Sequence, residues 1–325
     1  SSTLSWKLNQ TAIDGFILLG FSDLCESQVL LFLSFLIIYI ATITGNVLIV
    51  VTVLSQHRLH TPMYWFLSNL SFLEICYTTN IIPRMLLGFL LEKSIILFPV
   101  CMIQFYLFAS LGTTECLLLV MMAYDRYLAI CYPLHYAAVM TGRVCTQLAA
   151  GSWACGFLIP MITVSVVSHL TFCGPKEINH FFCDFKPLVK LSCTDSYSVE
   201  TTVSILSSVV TLVPFLLILV SYTHILRAIL RIPSTTGRQK AFSTCSSHLI
   251  VVTTFYGTLI VMYVAPSANN SPALNKVFSL LYTTVTPMFN PIIYSLRNQE
   301  VREGVKKLLR TIVLKGSKFK ITLCK

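Results

Sequence analysis

Glu74 and Glu115 each stand inside a long apolar run, and the adjacent pair Asp125–Arg126 sits at the end of one. Two carboxylates in low dielectric do not both ionise cheaply, so such a pair shares a proton, holds a cation or hydrogen-bonds to its neighbours. Asn46 and Asn290 lie in two further apolar runs and complete a candidate polar core with them. That core suits a Na⁺ ion or a shared proton, or more plainly a hydrogen-bonded packing cluster. No nucleophile–base constellation is present, and the seven histidines are scattered without metal-ligand spacing. The chemistry on offer is binding and switching, not catalysis, and no cofactor is expected beyond that Na⁺ or proton.

Apolar helices must position these groups. The 325 residues are 55 % hydrophobic and 11 % charged, with a mean hydropathy of +0.76, whereas soluble domains carry about 25 % charged residues. Seven stretches reach the roughly 20 residues needed to cross a bilayer. They are Gln28–Leu54, Met63–Phe89, Phe98–Ala123, Val144–Leu170, Thr201–Leu226, His248–Ala265 and Val277–Leu296. The first is too long for a cleavable signal peptide and lacks a small-residue cleavage site, so it reads as a span. The expected architecture is an all-α membrane protein, a seven-transmembrane helix bundle over 28–296. An extracellular tail (1–27) precedes it and a cytoplasmic segment (297–325) follows; the one long polar loop is 171–200.

Placement of Lys and Arg fixes the orientation. With the C-terminus inside, Arg58, Arg126, Arg143, Arg227, Arg231, Arg238, Lys240 and every basic residue from Arg297 onward are cytoplasmic. Only Lys7, Arg84, Lys93, Lys176, Lys186, Lys190 and Lys276 remain outside. The N-Q-T triplet at Asn9 is then a glycosylation acceptor in the outer tail. Cys173, Cys183 and Cys193 also fall outside, where disulfides form. Val301, Val305, Leu308, Leu309 and Ile312 recur at helical spacing among basic residues, predicting a short amphipathic eighth helix on the anionic inner leaflet. The net charge of +10 thus belongs to membrane lipid, and no nucleic-acid partner is expected.

Two further motifs stand at inner helix ends. "PMFNPIIYSLRN" (Pro287–Asn298) holds Asn290, Pro291 and Tyr294 as N-P-x-x-Y, in which the proline frees backbone carbonyls and kinks the helix. "MAYDRYLAICYPLHY" (Met122–Tyr136) carries Asp125, Arg126 and Tyr127, while Cys101 opens the same span at its outer end. Together with "HTPMYWFLSNLSF" (His60–Phe72), "SYTHIL" (Ser221–Leu226) and "KAFSTCSSHL" (Lys240–Leu249), these resemble the olfactory receptors of tetrapod type (class II), within the rhodopsin-like class A G-protein-coupled receptors. The resemblance covers nearly the whole chain.

That resemblance implies an odorant receptor coupled to a stimulatory G protein that raises cAMP, at the plasma membrane of olfactory cilia with its N-terminus outside. The residues alone allow three pairings of the four outer cysteines; the resemblance implies Cys101–Cys183 and Cys173–Cys193. It implies a ligand pocket in the outer half, between the third, fifth, sixth and seventh spans. Its expected lining is Phe105, Phe108, Ala109, Gly112, Thr113, Leu206, Val210, Tyr256, Leu259, Ile260, Tyr263, Leu280 and Thr283. None is charged, which predicts a small, mainly apolar volatile with one polar group and argues against an amine. The implied switch set is Asp125, Arg126, Tyr127, Tyr222, Lys240, His248, Asn290, Pro291 and Tyr294, with Pro133, Leu134 and His135 presented to the G protein. Glu74 stands where the family pattern usually has Asp, which weighs towards a shared proton over Na⁺. Three other readings compete. A transporter or channel would show repeat symmetry; a retinal protein needs a lysine in the last span, which has none; a receptor for a non-odorant metabolite shares every motif.

Overall fold

The computed structural model describes residues 15–21, 27–91, 94–172, 176–264, 272–297 and 300–310. Long helices dominate: α1 (Gln28–Ser55), α2 (Pro62–Leu90), α3 (Phe98–Cys131), α5 (Gly142–Ser168), α7 (Tyr197–Leu230) and α8 (Thr235–Leu259). Short helices α4 (Pro133–Val139) and α6 (Phe185–Val189) lie between them. The last run consists of α9 (Pro272–Leu280), a π turn at Leu281–Val285 and α10 (Thr286–Arg297), and residues 300–310 are also helical.

Among the described residues, five helices are long and apolar enough to cross a membrane: α1, α3, α5, α7 and α8 extended to Met262. Helix α2 carries Glu74, Asn80, Arg84 and many hydroxyls, which lower its hydropathy, and a π turn divides the final run. Leu30 and Ile37 of α1, Leu158 and Ile162 of α5, and Ile205 and Leu216 of α7 are exposed. Apolar surface of that extent along whole helices suits lipid rather than water.

Helix α3 is the core element. Its most apolar window is 67 % buried, against 22 % in α5 and α7. It lies so close to α5 that a Cβ on Gly156 would come within 1.9 Å of Thr114 Oγ1. Gly45 of α1 similarly meets the Pro291 ring of α10. Gly304, in the helical 300–310 segment, abuts Thr52, and Tyr64 Oη donates to Glu300 Oε2 at 2.8 Å.

Two features depart from the sequence expectations. The sixth span begins at Thr235, well before the expected His248, and continues past α8 as a π turn over Ile260–Val264. Its first turns, "TTGRQKAFSTCSS", are too polar to register as a span, yet Ser234 caps them by accepting the Gly237 N–H at 3.2 Å. The all-α expectation also gains a small sheet in the order β2-β1-β3. Strand β1 (Gly15–Leu18) pairs antiparallel with β2 (Ser94–Leu97), Gly15 opposite Leu97, and parallel with β3 (Glu177–Ile178). Phe16 and Leu18 are buried beneath it with Ile96 and Ile178.

Candidate functional site

One cavity, of about 110 Å³, opens between α3, α5, α7, α8 and the loop around α6. Helix α3 supplies Phe105, Phe108, Ala109, Gly112, Thr113 and Cys116, because residues three and four apart share one helix face. Leu206, Val210 and Leu259 face them, and Ile159, Pro160 and Thr163 of α5 close one side. The lining is mostly apolar, and the volume is comparable to the roughly 150 Å³ cavity that admits benzene.

Eight of the residues expected from the sequence therefore meet here. Tyr256, Ile260, Leu280 and Thr283 do not line the cavity. Tyr256 is fully buried and donates to the Cys116 carbonyl at 3.0 Å, tying α8 to α3. Thr283 Oγ1 donates to Ser279 O at 2.7 Å within the last helical run. The Tyr263 side chain lies outside the described residues. The lining includes one residue the expectation of an uncharged pocket did not contain: Asp184, a carboxylate from the loop.

The roof is held by a covalent bond and a polar clamp. Cys101 of α3 is bonded to Cys183. The Cys183 N–H donates to Gln104 Oε1 at 3.0 Å, and Gln104 Nε2 donates to Asn80 O at 2.9 Å. Asn80 Nδ2 returns a bond to Gln104 O at 3.1 Å, so α2, α3 and the loop form one block. Cys193 is disulfide-bonded; Cys173 lies outside the described residues, as does Asn9. Beside the roof, His180 Nε2 meets Ser279 Oγ at 3.1 Å. Burial, followed by the Lys276 charge, pushes the His180 imidazole down to about 3.

Below the cavity lies the polar core. Asn290 Nδ2 donates to Glu74 Oε1, and Asn46 Nδ2 donates to Thr42 O at 3.0 Å and to Pro287 O at 3.3 Å. Glu115 is close enough for the Glu74 charge to act on it. Glu74 Oε2, Glu115 Oε1, Asn46 Oδ1 and Asn290 Oδ1 are buried acceptors without a hydrogen-bond partner. The donor set is acceptor-rich, which fits a proton or a small cation.

Near the C-terminal end of α3, Asp125 is fully buried and pairs with Arg126, whose Nε donates to Asp125 Oδ2 at 2.9 Å. Tyr222 of α7 and His248 Nδ1 of α8 are 2.7 Å apart, and the His248 ring lies within electrostatic reach of Arg126. Tyr294 is buried, and the Tyr127 ring packs edge-on to His224. Pro133 opens α4, leaving Leu134 93 % exposed and His135 exposed beside it. The Lys240 side chain lies outside the described residues.

A family model described as "Olfactory receptor" matches residues 35–311. The chain belongs to the olfactory receptor family. It is 53 % identical to human Olfactory receptor 11A1 over 301 residues, covering 93 % of this chain and 95 % of that protein. Human Olfactory receptor 11L1 is 51 % identical over 302 residues, 93 % of this chain and 94 % of its own. Olfactory receptor 226 of Rattus norvegicus is 49 % identical over 301 residues, 91 % and 92 % of the two chains. The receptor is accordingly a plasma-membrane signalling protein and not an enzyme.

Several receptor residues around this site escaped the sequence reading: Asp184, Phe185, Thr163, Ser207, Thr211 and Phe255 in the lining, and Gln104 and Asn80 in the clamp. Asp184 directly follows Cys183 in the chain, but no periodicity marks a loop residue as facing the cavity. The signal for Gln104 and Asn80 was their polarity inside apolar helices, which the sequence reading did not use.

Proposed function

We propose that the receptor is a seven-transmembrane odorant receptor with its N-terminus outside and the 300–310 helix against the inner leaflet. It takes small, mainly apolar volatile molecules in the α3–α5–α7–α8 cavity and activates a stimulatory G protein to raise cAMP. One observation carries the reading: a single helix, α3, lines the cavity with Phe105–Cys116 and ends at the Asp125–Arg126 pair.

An odorant shifts the equilibrium only by binding one state better than the other, each 1.4 kcal/mol of preference being about tenfold. In the resting arrangement Asp125 restrains Arg126, while Tyr222–His248 and Tyr256–Cys116 hold α8 against α7 and α3. Outward movement of α8 breaks those bonds and frees Arg126 for the G protein, with Leu134 and His135 as the adjoining contact. A Na⁺ or a shared proton among Glu74, Glu115, Asn46 and Asn290 biases the same equilibrium from below the cavity.

An odorant panel read by cAMP, in cells supplying the olfactory stimulatory G protein, tests this. Activation by small volatiles, lost in Arg126→Ala at equal surface expression, is the expected result. Silence across the panel with the receptor at the surface rejects the odorant reading.

A further inference from the structure

Asp184 borders two outer cavities of the receptor, and among the described residues no other residue lines both. The first is the apolar chamber of about 110 Å³. The second, of about 150 Å³, lies between loop residues Glu177–Leu191, Met262 and Asn275 and is lined by polar and charged side chains, Lys186 and Lys190 among them. A polar antechamber thus adjoins an apolar chamber, with a carboxylate at their common wall.

The carboxylate is built in. Asp184 is 2 % exposed, and its Oδ1 accepts the Phe185 N–H at 2.8 Å, capping α6 beside the Cys101–Cys183 bridge. The Lys186 charge lies within reach of it. Asp184 takes part in further contacts beside the cap bond, and a carboxylate accepts at about four sites. Away from water, a ligand head that donates to such a group gains a charge-assisted bond, and an anionic head meets a like charge.

We propose that Asp184 selects ligands by head group, taking alcohols and amines with the head at the common wall and excluding carboxylic acids, which are ionised at neutral pH. The tail then lies among Phe105, Phe108, Val210 and Leu259. This rests on the chamber being the ligand site, and it reverses the expectation from an uncharged lining that an amine would find no carboxylate.

The test reads binding rather than signalling, as the ligand-induced rise in thermal midpoint of the full-length receptor in detergent micelles. The probes are straight-chain alcohols, amines and carboxylic acids of four to ten carbons. The wild type is expected to be stabilised by alcohols and amines and not by acids of equal length. Asp184→Asn keeps the cap acceptor and the shape but removes the charge; it is expected to need at least tenfold more amine and to begin binding acids. Asp184→Ser, which also caps, replaces it if Asp184→Asn lowers the ligand-free midpoint.

An unchanged order of head groups in the variant overturns the proposal, as does a wild type that no member of the series stabilises. Loss of fold in both variants assigns Asp184 a structural role alone and overturns it too. Gly112→Leu separates the two readings: a Cβ at Gly112 meets nothing within 4 Å, so the new side chain fills the chamber. Binding that persists in Gly112→Leu refutes the chamber as the site, and binding without cAMP refutes the coupling alone.

Discussion

Tyr136 Oη donates to Asp125 Oδ1 at 2.7 Å, so the helix after Pro133 is fastened to the same carboxylate that holds Arg126. Burial, and then the bond to Asp125, push the Tyr136 hydroxyl well above its ordinary value, and it remains a donor at any physiological pH. One buried anion therefore sets both the arginine and the loop beside it.

Tyr136→Phe removes that donor and leaves the ring. A hydrogen bond to a charged group is worth about 1.5 kcal/mol at the low end, suited to a half-exposed tyrosine. A lower thermal midpoint is expected, whereas Tyr132→Phe, whose hydroxyl contact with Tyr127 is 3.5 Å long and exposed, leaves the midpoint unchanged.

The loop before α6 is expected to be acid-sensitive through burial of the His180 imidazole. Its folded value of about 3 lies below the ordinary 6.5, so between those values the unfolded chain binds the extra proton. The contribution to stability is complete above pH 6.5 and is lost as pH falls, by about 2 kcal/mol at pH 5. Thermal melts at pH 7 and pH 5 should show a larger drop for the wild type than for His180→Gln, which can still meet Ser279.

Tyr256→Phe distinguishes a helix tie from a ligand anchor. Because Tyr256 Oη is spent on the Cys116 carbonyl, the substitution is expected to shift basal cAMP and to alter every active odorant by the same factor. A loss confined to odorants with one kind of polar group would place the hydroxyl in the ligand site instead.

Gly156→Ala drives a methyl group into Thr114 Oγ1 and to within 3.0 Å of its Cα. Overpacking of this kind costs about 1–3 kcal/mol. Surface expression should fall and recover only in part with Thr114→Ala, which clears the oxygen but not the Cβ at 2.9 Å.

Glu74→Gln retains an oxygen for Asn290 Nδ2 and removes the charge. Basal cAMP of the wild type is expected to respond to external Na⁺ or to pH, and that of Glu74→Gln to neither. A wild type indifferent to both excludes a cation at this cluster.

Legibility in the sequence followed the cost of the residue. Asp125, Arg126, Glu74 and Glu115 declared themselves because a charge in an apolar run is expensive and demands a partner. The α3 lining came from the family resemblance, and helical spacing explains why Phe105, Phe108, Gly112 and Thr113 share one face. The outer sheet stayed hidden: β3 has two residues, and its partner Ile17 lies at the far end of the chain. Alternation over so short a stretch carries no signal. Asp184 was invisible for another reason, since a loop residue has no period and only the packing of α6 turns it inward. Tyr256 and Phe255 are neighbours on one helix, and a phase error of one residue decides which of them meets the cavity.

The order β2-β1-β3 has a consequence for biogenesis. Residues 15–18 leave the ribosome early, but both strands that flank them are made later, and β3 only with residues 177–178. Strand β1 can pair with β2 once residues 94–97 are made, but its other edge stays open until β3 follows. A chain halted between β2 and β3 would leave that edge of β1 unpaired, where a holding chaperone has something to grip.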